Sequence, residues 1–366
     1  MIALIIEKRR LIMSTMATTE VEEKKPSEFY FACRSGNLIR VCELLNNLTL
    51  AELERIEPNR STALHAACYF NHPEIVQQLL QRGVTRRTIN SHQMTAYEEA
   101  AEYPKICELF LRPNNYNRFG GNNSFEIDNI KWIFIYANDS SFSLEPIPDL
   151  YHGKRLILRT FHYEKILEQL GDEMLRKEVI DHLFRRALEE KDCKYLIQAF
   201  STETEFADRI NSYLVQRHSR TKKNETYPSD VLMEFVDTIY YSTELYSRYG
   251  FIGKCYRSIR MQSDVDIAMY KVGKKIVSKT FISASKDRQY VKSLVVDHDR
   301  PARHIVTIVY DIRQQKTALD IESLSEFPNE KEVLIMMNRI FKVTEITANS
   351  DTDLTIELCE STSTKV

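Results

Sequence analysis

The feature that most constrains the fold of this 366-residue chain is a segment that comes round again. Thr62-Ala63-Leu64-His65-Ala66-Ala67 is answered 33 residues later by Thr95-Ala96-Tyr97, which runs on to Ala100-Ala101. A unit of that length holds two short helices and a turn and cannot bury its apolar face alone, so neighbouring copies must stack. An earlier, degenerate copy, FYFACRSGNLIRVCELLNN, puts Ala32-Cys33, Gly36-Asn37 and Leu44-Leu45 where the small residues, the turn and the second-helix leucines fall. Thr62 is expected to cap the first helix of its unit and Ala66 and Ala67 to let neighbouring helices approach. Ile75, Val76, Leu79 and Leu80 should form the buried stripe of the second helix.

From Glu28 to Pro113 this pattern resembles the ankyrin family, whose stacks bind proteins and carry no chemistry of their own. A polar stretch, Arg112 to Glu126, has the composition of a linker. Beyond it come a strand-like run, KWIFIYAND, and then helical segments up to Tyr249. After Phe251 short β-branched and aromatic runs take over: GKCYRSIR, KIVSKTFISAS, RHIVTIVYDI, EVLIMMN, RIFKVTEITAN and DLTIELCE. Helices first and strands later point to an α+β domain.

Composition narrows the function. The net charge of −2, with both signs mixed along the chain, gives no basic stripe for nucleic acid and no polybasic patch for a membrane surface. No apolar run is long enough to span a bilayer, and MIALII precedes its charged residues, unlike a signal peptide. Seven scattered cysteines without a CxxC read as reduced core thiols in an intracellular, cytoplasmic protein. His65 and Cys68 are closer to repeat core than to a metal site, and no metal is expected. Neither GxGxxG nor GxxxxGK[ST] occurs, so a dinucleotide would need another kind of fold to hold it.

Three short motifs follow one another in the strand-rich half. CYRSIR carries Arg257 at the expected end of a strand. In KTFISAS, Phe281, Ser283 and Ser285 alternate onto one face. LSEFPNEKEVLI carries Glu330 and Glu332, two apart and expected to share the face of one strand. Each motif alone is ordinary. In this order they resemble the arginine, serine and glutamate signature of the arginine-specific mono-ADP-ribosyltransferases, with Arg257, FISAS and EKEVL in the matching places and Phe327-Pro328 in the preceding loop. The resemblance covers roughly residues 130 to 360. Two positions depart from the pattern: Ser258 replaces a glycine that usually follows the arginine, and Ala284 replaces a threonine between the serines.

The resemblance implies a multidomain chain: an all-α ankyrin-repeat stack, then an α+β ADP-ribosyltransferase domain with a helical N-terminal part and a two-sheet β core. The expected bounds are a disordered extension over 1–26, repeats over 27–113, a linker over 114–128, the catalytic domain over 129–360 and a tail over 361–366. It implies NAD⁺ as substrate, protein acceptors with exposed arginines, and a protein partner for the repeats. Glu332 would stabilise positive charge developing on the ribose as nicotinamide leaves, and Ser283 would position it. Arg257, Ser258, Ser283, Ser285, Phe281 and Phe327 would hold NAD⁺, the arginine through its match to phosphate oxygens. Glu330 would orient and deprotonate the acceptor guanidinium. The alternatives are an NAD⁺ glycohydrolase, with water as acceptor, and an ankyrin adaptor whose second domain has lost activity. A poly-ADP-ribose polymerase is disfavoured, since that family places histidine where Arg257 stands.

Overall fold

In the computed structural model the described residues are 25–112, 119, 132–135, 161–174, 176–219, 231–261, 264–295 and 303–361. The N-terminal extension, most of the expected linker and nearly all of the C-terminal tail lie outside them. The chain divides into two compact units, residues 1–112 with 176–182, and residues 113–175 with 183–366.

Helix pairs build the first unit: Glu28–Ser35 with Leu38–Leu45, Ala63–Tyr69 with Pro73–Gln81, and Ala96–Glu99 with Pro104–Leu109. Their starts are written in the sequence. Thr62 and Thr95 accept from the backbone N–H groups of His65 and Glu98, and Pro73 and Pro104 sit in the first turn, where a missing N–H is harmless. Ala66, Ala67, Ile75, Val76, Leu79 and Leu80 are all buried, as the repeat requires. Gly36 closes the first helix at φ +74, and a Cβ there would stand 2.6 Å from the His72 ring.

His65 ties one repeat to the next. Its Nδ1 accepts from the Thr62 N–H at 3.3 Å, which leaves Nε2 to donate to the Met94 carbonyl at 3.1 Å. All seven cysteines are free; Cys33, Cys68 and Cys255 are buried, whereas Cys42 is exposed, so the expectation of core thiols holds only for some.

In the second unit a helical part precedes the strands, as expected from the sequence. Among the described residues the strands are β1 (Trp132–Ile135), β2 (Gly253–Met261), β3 (Lys275–Ser278), β4 (Ile282–Ser285), β5 (His304–Ile312), β6 (Ala318–Asp320), β7 (Glu332–Ile335), β8 (Ile340–Ala348) and β9 (Asp353–Glu360). Their order is β1-β3-β8-β9-β5-β2-β4-β7-β6, with only β5 and β9 parallel. The two-sheet expectation takes a specific form. β2 and β5 are matched over nine consecutive pairs, but β2 meets β4 at the single pair Tyr256↔Ser285, so two runs of strands are hinged there. Cys255, Ile259, Ile282, Ala284, Ile308, Tyr310, Val333 and Phe341 fill the core of this sheet. The motif run KTFISAS is broken at residues 279–281, and the short β6 was not apparent in the sequence.

Burial lowers the pKa of His65 from 6.5 to about 4. Because the folded value lies below the unfolded one, the unfolded chain binds more protons between these limits. The stabilisation is therefore complete above pH 6.5 and is lost as pH falls toward 4, by an amount on the order of 3 kcal/mol at most. Urea unfolding of the wild type and of His65→Gln should show a stability difference that shrinks as pH is lowered through this window; a difference independent of pH would remove this account of His65.

Candidate active site

Adjacent strands bring the three motifs together. Ser285 pairs across β4 and β7 with Glu332, and across β4 and β2 with Tyr256, so Tyr256, Ser285 and Glu332 share one face. Ser283, opposite Leu334, lies on the same face two residues along β4, and Ser258 lies on it two residues along β2. Ala284 faces the other way, into the core against Val333, so the lost threonine leaves the serine face intact.

Arg257 differs from expectation in two respects. It stands at the centre of β2, because Ser258 to Met261 continue the pairing with β5. By alternation it also leaves the strand on the face of Cys255 and Ile259, opposite Ser283. Its long side chain still reaches the serine strand: Nη1 donates to the Ser283 carbonyl at 3.1 Å, and the residue is buried. Ser258 keeps a negative φ within the strand, so a glycine is not required there, and its Oγ lies 3.1 Å from that of Thr307.

The two glutamates do not lie on one strand. Phe327-Pro328 opens a 3-10 turn, Pro328–Glu330, and Lys331 follows in the left-handed region at φ 48, so only Glu332 belongs to β7. The proline and the left-handed residue override the two-residue alternation that the sequence suggests. Both carboxylates are nonetheless enclosed, Glu330 at 1% exposure and Glu332 at 0%.

The Glu330 turn is tied to the serine strand. Ser285 Oγ donates to the Glu330 carbonyl at 2.7 Å and accepts from the Asp287 N–H at 3.0 Å. The Lys286 N–H donates to the Lys331 carbonyl at 3.0 Å. Asp287 caps the helix Arg288–Ser293, accepting from the N–H groups of Gln289 and Tyr290, and pairs with Lys331 Nζ at 3.0 Å. The Tyr290 N–H, and then Lys331, hold the Asp287 carboxyl below its usual range. Tyr290 Oη reaches Glu330 Oε1 at 3.4 Å. Asp287, Tyr290 and Lys331 were not singled out from the sequence, although an Asp placed before a short helix is a readable cap.

The two aromatics are buried. Phe281 precedes β4 and stands edge-on to Phe200, with ring centres 5.2 Å apart, in a chain of rings that continues through Phe235, Phe206 and Phe184. That position makes it a core residue rather than an open stacking surface. Phe327 is fully buried at the start of the glutamate turn.

The arginine, serine and glutamate motifs are thus buried and lie on neighbouring strands of one sheet. Residues 190–365 match the NAD:arginine ADP-ribosyltransferase family, and residues 29–119 match ankyrin repeats in three copies. The chain thus carries ankyrin repeats followed by a domain of the NAD:arginine ADP-ribosyltransferase family, whose substrate is NAD⁺. Among solved structures, the Vis toxin, an ADP-ribosyltransferase from Vibrio splendidus, is similar at 20% identity over 56% of this chain and 88% of that chain, with a TM-score of 0.36. HopU1, an ADP-ribosyltransferase of Pseudomonas syringae pv. Tomato DC3000, is similar at 16% identity over 67% of this chain and 100% of that chain, TM-score 0.37. The C3 exoenzyme of Clostridium limosum is similar at 17% identity over 50% and 94%, TM-score 0.32. No curated relative matches the chain. Among the described residues no helix is long and apolar enough to cross a membrane.

Removing the hydroxyl of the fully buried Ser285 would take this partner from the Asp287 N–H and from the Glu330 carbonyl. Ser285→Ala should therefore cost about 1–3 kcal/mol of stability, measured by urea unfolding. An unchanged midpoint would mean that the turn is held by other contacts.

Proposed function

We propose that this chain transfers ADP-ribose from NAD⁺ to arginine side chains of protein acceptors, releasing nicotinamide. The observation that carries the proposal is the pair of enclosed carboxylates, one opening β7 opposite Ser285 and the other in the turn just before it.

Loss of neutral nicotinamide leaves positive charge on the ribose, and Glu332 is the carboxylate that meets it. A fixed carboxylate away from water stabilises that charge more in the transition state than in the ground state. The sheet, which fixes its backbone opposite Ser285, supplies the preorganisation. Ser283 assists from the same face by positioning the ribose and the carboxylate. Arg257 and Ser258 serve the diphosphate and nicotinamide ends of NAD⁺, with Arg257 steadied by the Ser283 carbonyl. Phe281 and Phe327 support this site from the core.

Glu330 has the second task. An arginine acceptor is cationic and a weak nucleophile, so a carboxylate must align it and take its proton as the new bond forms. With both glutamates present, arginine is the acceptor the site suits best. In the same proposal the ankyrin repeats (27–113) select protein partners, and the catalytic domain (129–360) performs transfer. Hydrolysis of NAD⁺ by water is the accompanying side reaction.

Two substitutions test this together. Glu332→Gln should lower both protein labelling and nicotinamide release by about 100-fold or more. Glu330→Gln should abolish labelling of arginine, scored by release of label with neutral hydroxylamine, while most nicotinamide release persists. Full labelling by Glu330→Gln would remove arginine as the proposed acceptor, and near-normal activity of Glu332→Gln would remove the catalytic assignment.

A further inference from the structure

We propose that Tyr290 is a positioning residue for the transfer step, holding the Glu330 carboxylate in the orientation in which it receives the acceptor. This rests on the assignment of Glu330 as the acceptor-side carboxylate.

The argument is a closed ring of contacts. Tyr290 Oη donates to Glu330 Oε1, Glu330 is joined through the backbone to Lys331, Lys331 Nζ pairs with Asp287 Oδ2, and Asp287 Oδ1 accepts from the Tyr290 N–H. One carboxylate, that of Asp287, thereby holds both ends of the Tyr290–Glu330 contact. Ser285 closes the ring a second time, accepting from the Asp287 N–H and donating to the Glu330 carbonyl. The Tyr290 ring is set from its other side by Phe119, edge-on at 5.9 Å. The phenol is thus placed from two sides, with its oxygen 3.4 Å from Glu330 Oε1.

The chemical need is specific. A glutamate in a turn has several rotamers, and only some point a carboxylate oxygen toward an incoming guanidinium. A contact from Tyr290 to Oε1 narrows that choice before the acceptor arrives, so less of the carboxylate's ordering falls to the reaction itself. Glu332, by contrast, has its backbone held in the ladder opposite Ser285. Tyr290 should therefore affect transfer and leave the cleavage of NAD⁺ by water nearly untouched.

The test uses the full chain with Tyr290→Phe, which keeps the ring and its packing on Phe119 and removes only the hydroxyl. With NAD⁺ and a small guanidine acceptor, kcat for transfer should fall by roughly 5- to 20-fold, as for loss of a hydrogen bond to a charged group, with KM for NAD⁺ unchanged. Nicotinamide release without acceptor should change less than about twofold. Equal loss of transfer and hydrolysis would make Tyr290 merely structural and overturn the proposal, as would unchanged transfer. If Glu330→Gln alone spares transfer while Tyr290→Phe impairs it, the reading of Glu330 fails and this inference falls with it; if Glu330→Gln abolishes transfer and Tyr290→Phe is silent, only the role of Tyr290 fails.

Discussion

The site depends on one residue of a four-residue strand. Ser285 is paired through the backbone with Tyr256 on one side and Glu332 on the other, and its hydroxyl spans the gap between the Asp287 N–H and the Glu330 carbonyl. β2 and β4 are joined by that one backbone pair and by the bond from Arg257 Nη1 to the Ser283 carbonyl, so the arginine strand and the glutamate strand are placed relative to each other through the short serine strand. A hydroxyl suits the position because it donates and accepts at once, and because burial makes an unmet partner on either side costly.

The two glutamates are held by different physics. Glu332 is fixed by pleat and register, with the core residues Val333 and Ile335 on the opposite face of its strand. Glu330 is fixed by a proline-initiated turn, a left-handed lysine and a ring of polar contacts around Asp287. In the proposed division of labour, the carboxylate assigned to the developing charge stands on a strand, and the one assigned to the acceptor stands in a turn held by its own polar contacts.

Much of this was legible in the sequence because it follows from short-range rules. The 33-residue period, the Thr62 and Thr95 caps and the leucine stripe dictate the helix pairs, and the core residues there fell where the repeat placed them. Strands were readable wherever β-branched residues ran together, and the ordered motifs fall on neighbouring strands. What escaped was set by backbone geometry and by contacts between distant segments. Arg257 looked like a strand end because nothing local reveals that residues 258–261 find partners 43 or more positions away in β5. Glu330 and Glu332 looked like strand neighbours because alternation is a rule for extended backbone, and Lys331 is not extended. That Phe281 would lie against Phe200, 81 positions earlier, is likewise invisible locally.

The left-handed lysine between the glutamates carries an evolutionary consequence. Since Glu330 lies outside the ladder, the turn can change in length or side chain without shifting the register of β4 on β7. On the roles proposed for the two glutamates, acceptor preference and nicotinamide expulsion could diversify independently, and a lineage could retarget the enzyme by mutating one loop while inheriting the bond-breaking apparatus unaltered.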